Sequence, residues 1–281
     1  MTKKEFVYFF LRNKKVIFAI CTLSILSILA IFGPNLTPYD PLEFVGAPYQ
    51  PPNKNHWLGT NTFGQDLFAQ IVYGLRNSLI VGLLGGGIAT VIGLCIGFIA
   101  GYKGGWFDEF LMMLTNILMV IPTLALLIII AAYLPYRGIF IQSVIIGLTA
   151  WPWTARAVRA QTLSLKTREF VDLARITGVG SVKIIFQEIM PNMMSYVFMV
   201  FILQFGGAIL AATGLDFIGL GPTRGISLGI MMQQATLWNA IQLGMWWWAI
   251  TPGALITLIV ATLYIMNTGL DEIFNPKLRE M

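Results

Sequence analysis

The chain has 281 residues, 57% of them hydrophobic and only 11% charged, with a mean hydropathy of +0.75. Soluble domains carry about 25% charged residues, so a water-soluble fold is set aside. The net charge of +5 could suggest a nucleic-acid partner, but the charges lie between apolar runs and follow membrane sidedness, so none is expected.

A membrane span needs about 20 apolar residues, because backbone groups find no water in hydrocarbon and a helix rises about 1.5 Å per residue. The amino terminus is basic and then apolar, as in a secretory signal. No small-residue cleavage site follows Phe32, however, so an uncleaved first span over Val16 to Phe32 is expected. Asn35 to Ser78, rich in Pro, Gly and Asn, reads as an ordered loop with short helices. Charge-free windows then predict spans over Leu79 to Tyr102, Phe110 to Leu134 and Gly138 to Ala155. A polar segment, Arg156 to Asn192, separates these from a fifth span within Ile189 to Leu215. Ile226 to Met245, with Gln233, Gln234, Asn239 and Gln242, is assigned to a surface, and Trp246 to about Met266 is the sixth span.

Fourteen of the 18 Lys and Arg residues fall on one side of this scheme; only Lys54, Arg76, Arg137 and Arg224 fall on the other. The positive-inside bias then makes both termini and the 156–192 segment cytoplasmic, and the 33–78 loop extracytoplasmic. The expected organisation is 1–32 for the N-terminus and first span, 33–78 for the outer loop, and 79–281 for a core of five spans. Cys21 and Cys95 sit in apolar runs and read as packing or lipid-facing side chains.

Within the second span, Gly82, Gly86, Gly93, Gly97 and Gly101 fall at small-x3-small spacings that let another helix approach closely, in this chain or in another. In the third, Met112, Met113 and Met119 beside Pro122 suit either an adaptable wall of a pathway or ordinary packing. Asp216 closes the fifth span, where it could pair with Arg224 or gate a pathway. Trp246, Trp247 and Trp248 suit an interfacial belt better than a sugar-stacking platform. His56 lacks nearby ligand partners and reads as loop structure.

The segment from Arg168 to Ser181 predicts a short helix ended by glycine, with Ser181 capping the next helix, which Pro191 later ends or kinks. Phe170, Leu173, Ala174 and Thr177 are expected on one face, with Glu169, Asp172 and Arg175 on another. Asp172-Leu173-Ala174, three residues, Gly178, then Ile189-Met190-Pro191-Asn192 resembles the cytoplasmic motif of binding-protein-dependent ABC importer permeases, Glu-Ala-Ala-x3-Gly followed by Leu-Pro. Asp172 and Leu173 depart from the usual Glu-Ala, and Glu188 stands where a His is usual. His56 through Asp66, continuing from Tyr73 to Leu79, resembles the external signature of the dipeptide/oligopeptide/nickel branch and its C-type permease. Gly101 to Asp108, Phe217 to Gly221 and Pro252-Gly253 are similar to further segments of that branch. Asn61, Gln65, Gln70 and Asp216 depart from its usual residues.

The resemblance implies an all-α, type I importer permease of about six spans that alternates between outward-open and inward-open states. It also implies a coupling helix near Glu169 to Thr177 that docks on a separate ATPase. Glu169, Asp172, Leu173, Ala174, Arg175, Gly178, Pro191 and Asn192 are the candidate coupling residues, and Asp216, Met119 and Pro122 the candidate gate or pathway residues. The chain has no Gly-x4-Gly-Lys-[Ser/Thr] loop, so ATP and Mg belong to partner subunits and neither cofactor nor enzymatic activity is expected here. The implied partners are a sister permease, ATP-binding cassette subunits, an extracytoplasmic solute-binding protein and membrane lipid. Peptides are the expected cargo, with oligosaccharides or nickel as alternatives. An ion-coupled secondary transporter would need mid-depth acids or broken helices, and the spans hold no mid-depth carboxylate. An intramembrane enzyme lacks any Ser/His dyad or paired Asp within them.

Overall fold

The computed structural model describes residue 10 and residues 12–274; Lys3, Lys4, Lys277 and Arg279, part of the charge argument, lie outside the described residues. Among those described, the chain is helical apart from turns, loops and one isolated bridge between Thr60 and Asp66.

The first helix, α1 (Lys14–Phe32), starts where the Asn13 side chain accepts hydrogen bonds from the Lys15 and Val16 amides. The loop that follows ends at Asp66, whose Oδ1 accepts from the Ala69 amide at 2.7 Å and caps α2 (Leu67–Lys103). Its other oxygen, Oδ2, lies 2.8 Å from His56 Nδ1, and both residues are buried. His56 thus holds the start of a helix in place. At 37 residues, α2 is about 55 Å long and overshoots a hydrocarbon core of about 30 Å. The expected second span is its C-terminal two thirds; the twelve residues before Leu79 are helix rather than loop.

The third expected span is broken. α3 (Gly105–Val120) and α4 (Thr123–Ala132) meet at an angle of 82°. Pro122 disfavours helical backbone at the residue before it, and Ile121 is extended there, with φ −76° and ψ 124°. The base of α3 is tied to α5 (Ile139–Lys166) by two bonds from Arg159 to the Asp108 carboxylate, at 2.5 and 2.6 Å.

Beyond α5 come α6 (Glu169–Ile176), α7 (Ser181–Ile184), a π-helical turn over Ile185–Ile189, α8 (Met190–Asn192) and α9 (Met194–Phe217). A turn then leads to α10 (Leu228–Leu237) and α11 (Trp246–Phe274). Helices α1, α2, α9 and α11 are long and apolar enough to cross a membrane, and the bent α3–α4 pair, a broken span or a re-entrant loop, meets the same measure only when its two helices are taken together. The segment Gly138 to Ala155, read as a further span, lies in α5, which is less apolar. Gln142, Ser143 and Thr154 of α5 are buried, so the helix is shielded by protein and need not present a hydrocarbon-compatible surface all round.

The pairing of α2 with α5 is the most extensive in the fold, and the glycines explain it. A Cβ on Gly97 would lie 2.7 Å from the Ala155 carbonyl oxygen and from Val158, and Gly93 and Gly101 meet Thr154 and Thr162 in the same way. Toward the other end of α2, Gly82 and Gly86 press on α9 at Ile209 and Phe205. The glycine spacings therefore serve helix packing inside this chain. Trp248 is wholly buried in the main core, among Leu67, Met231 and Ile259. It is a packing residue, not part of an interfacial belt; Trp246 remains exposed.

Candidate functional site

Two sites are built at opposite ends of the bundle. The first is α6. Its C-terminus is closed by bonds from Gly178 N–H to Arg175 O and from Val179 N–H to Ala174 O, both 3.0 Å, with Gly178 at φ 79°. This paired geometry needs a left-handed residue after the cap, which glycine adopts without steric cost. The next helix is entered without a side-chain cap: Gly180 occupies the capping position and Ser181 is already helical. Ser181 therefore does not cap it, contrary to expectation.

The faces of α6 also differ from the expected division. Val171 and Ala174 are buried with Phe98 and Tyr102 of α2, Val158 of α5, Ile184, Ile185, Ile189 and Met193, and Phe170 packs against that cluster. Leu173, expected on the same face, is 63% exposed, and Ile176 is 82% exposed. The helix is anchored through one turn-and-a-half of small apolar contacts, while its outer surface offers Leu173 and Ile176 beside Glu169, Asp172 and Arg175. Arg175 Nη1 donates to Asp172 Oδ1 at 2.9 Å, and its guanidinium lies over the Tyr102 ring, 5.5 Å from the centroid. The Tyr102 hydroxyl, and after it the Asp172 carboxylate, hold the Arg175 guanidinium above its ordinary pKa, so the cation persists at any physiological pH. Val182 and Phe186, exposed on the following helical segment, extend the apolar outer surface. Sequence reasoning missed Ile176, Val182 and Phe186 because periodicity shows which residues share a face, not which of two apolar faces is covered.

Pro191 and Asn192 stand apart from this surface, at the joint into α9. Pro191 has no N–H to continue the helical ladder, the preceding turn is π-helical, and Asn192 Nδ2 donates to Glu188 O at 2.7 Å. Their place is the link between the short helices and α9.

The second site is at the far end of α9. Asp216 is 2% exposed. Its Oδ1 accepts from Gln142 Nε2 of α5 at 2.7 Å, and its Oδ2 accepts from the Ser227 hydroxyl at 2.5 Å. Ser227 Oγ in turn accepts from the Ile230 amide and caps α10. Three helices thus meet at one carboxylate, and α2 holds the adjoining turn, where Asn77 Nδ2 donates to Ile226 O and Ser78 Oγ accepts from the Leu228 amide. The expected pairing with Arg224 is not formed: Arg224 is exposed, and the carboxylate is enclosed by Gly221, Gly229, Gln142 and Ser227. Met119 and Pro122 are exposed at the α3–α4 bend and do not join this network; α4 reaches α9 instead through Leu124, close to Gly214.

Asp216→Ala is expected to destabilise the isolated subunit, since the Gln142 and Ser227 donors lose their acceptor in a dry setting, at about 1–3 kcal/mol for each orphaned group. Thermal unfolding in detergent measures this. An unshifted midpoint would show that the carboxylate does not hold these helices together.

Residues 93–280 match the family model described as binding-protein-dependent transport system inner membrane component. The chain belongs to this family. Residues 4–52 match a second model, the N-terminal TM domain of oligopeptide transport permease C. Among relatives of this inner membrane component, the oligopeptide transport system permease protein OppC of Mycobacterium tuberculosis strain H37Rv is 35% identical over 277 residues, 97% of this chain and 94% of that one. The dipeptide transport system permease protein DppC of Bacillus subtilis is 32% identical over 270 residues, 95% of this chain and 83% of that one. A structure of the MetNI methionine ABC transporter in inward-facing conformations superposes with TM-score 0.56 at 18% identity, covering 73% of this chain and 96% of that chain; this likeness concerns the fold. The inner membrane component is thus a multi-pass permease subunit of an ATP-driven importer, which implies, in general, an ATPase and a binding protein as partners.

Proposed function

We propose that the chain imports peptides as the C-type membrane subunit of an ABC importer, with α6 as the helix that docks on the ATPase. The observation that carries this reading is the exposure of Leu173 and Ile176 on a short helix whose opposite face is locked onto α2, α5 and the entry to α9. Exposed aliphatic side chains ringed by Glu169, Asp172 and Arg175 have the composition of a docking patch with a polar rim. Ala174 supplies the anchoring side of that helix, Gly178 turns the chain at its end, and Pro191 with Asn192 carries displacement into α9. Peptide cargo is supported by the names of the relatives, which are oligopeptide and dipeptide permeases.

In this reading the 156–192 segment and both termini face the cytoplasm, as the distribution of Lys and Arg favours. The remaining partners are a sister permease, two ATPase subunits that hold ATP and Mg, and an extracytoplasmic solute-binding protein. This subunit performs no catalysis and carries no cofactor. Asp216 acts as the closing tie of the outer end, and Met119 and Pro122 form the bendable wall beside the pathway.

The test is reconstitution of the subunit with its sister permease, ATPase and binding protein in proteoliposomes. ATP-dependent accumulation of a labelled hexapeptide is the expected result. Accumulation of an oligosaccharide or nickel in place of peptide would overturn the cargo, and uptake that proceeds without any ATPase would overturn the mechanism.

A further inference from the structure

A mainly apolar cavity of about 300 Å³ opens between α5, α9 and α11, lined by Ala150, Trp153, Leu203, Gln204 and Tyr264. Counted at about 1.5 Å per residue, Trp153 lies about 21 Å along α5 from its start and Gln204 about 20 Å along α9 from its end. Gln204, about 15 Å from the start of α9 as well, is thus at mid-helix, whereas Trp153 stands two residues before the cytoplasmic end of the expected Gly138 to Ala155 span. Gln204 is 8% exposed, and its orientation is fixed. Nε2 donates to Ala150 O at 3.0 Å and to Thr154 Oγ1 at 2.6 Å. Both amide hydrogens are consumed, and among the described residues no donor reaches Oε1. Trp153 and Tyr264 are exposed beside it.

An amide oxygen at this depth facing acyl chains would cost several kcal/mol. Beside it stand two aromatic side chains that each combine an apolar body with a hydrogen-bonding tip. We propose that this cavity is a peptide-contacting station on the transport path. Gln204 Oε1 accepts a backbone N–H of an extended peptide there, and Trp153 and Tyr264 pack against its side chains. An acceptor for backbone N–H reads every peptide alike, and adaptable aromatic walls tolerate varied side chains, which suits cargo of mixed sequence. The inference rests on the peptide-import reading above and adds the residues that touch the cargo.

The experiment uses the complete reconstituted transporter in a Cys21→Ser, Cys95→Ser background, with Trp153→Cys or Tyr264→Cys. A membrane-impermeant thiosulfonate is added with and without a hexapeptide. Ile25→Cys on the exposed side of α1 serves as the lipid-facing control. Labelling of both cavity cysteines but not of Ile25→Cys, protection by peptide, and a KM for uptake raised about tenfold in Gln204→Met, the value of one lost hydrogen bond, are expected. Trp153→Ala, which leaves the Gln204 bonds to Ala150 and Thr154 intact, is expected to raise KM for uptake as well. If the unmodified transporter accumulates peptide but neither cavity cysteine is labelled, or labelling is indifferent to peptide and KM is unchanged, the cavity lies off the path and this inference fails alone. If the unmodified transporter accumulates no peptide, the functional reading fails and this inference with it.

Discussion

Ile176→Asp combined with Leu173→Asp is expected to abolish ATP-driven uptake while leaving the subunit inserted and folded. These are the two most exposed apolar side chains of α6, and neither belongs to the cluster formed by Val171 and Ala174. Burying each against a partner would be worth about 1.5–3 kcal/mol. The double change forfeits that gain and places two carboxylates beside Glu169 and Asp172. A total near 4 kcal/mol corresponds to about a thousandfold weaker association. Co-purification of the ATPase with this subunit, quantified beside thermal unfolding of the subunit alone, separates docking from folding. Retained ATPase at normal stoichiometry would remove α6 from the interface. The partner variant Val171→Asp should instead fail in the membrane, because it puts a charge into the anchoring cluster.

The second large effect concerns the α2–α9 contact. A Cβ on Gly86 would sit 2.7 Å from both the amide nitrogen and Cα of Phe205. Those are backbone atoms that no rotamer change can move, so Gly86→Val must force the helices apart. Overpacking of this kind costs about 1–3 kcal/mol and occasionally more, here with the loss of neighbouring close contacts at Gly82 and Gly85. Gly87→Val offers the internal control, since nothing lies within 4 Å of its would-be Cβ, and a change within about 0.5 kcal/mol is expected. The comparison is read from thermal midpoints and membrane yield. Equal behaviour of the two variants would show that α2 and α9 do not approach as closely as described.

The sequence made the apolar helices legible because hydrocarbon imposes a long, charge-free window on a helix that faces it. It made α5 less legible as a structural centre, since Gln142, Ser143 and Thr154 lower its hydropathy while being covered by neighbours. Phe110 to Leu134 read as one charge-free span with Pro122 as a bendable point at most, and the 82° break there depends on what α3 and α4 each pack against. At the α6 site, the glycine turn could be read directly, because a left-handed residue is needed there. The exposure of Leu173 could not, as Phe170, Ala174 and Leu173 fall on one arc and only the position of α2 decides which of them is covered. Asp216 was visible as an acid at a helix end, yet its partners, Gln142 and Ser227, come from 74 and 11 residues away. Their pairing is a property of the folded chain, and the nearer-looking cation Arg224 was a false lead.

The two halves of the bent pair are held in different ways. The Arg159 fork fixes the base of α3 to α5, whereas α4 is wedged between α5 and α9, with Leu127 and Ala131 buried beside Ile146, Ala208 and Ala212. If α9 shifts against α5, α3 stays with α5 while α4 is engaged by both, and the extended backbone at Ile121 and Pro122 is the joint at which the difference is taken up. A helix pair that would transmit strain as a straight rod thus behaves as an elbow, and lengthwise sliding of one layer is turned into rotation of an exposed surface that includes Met119 and Val120.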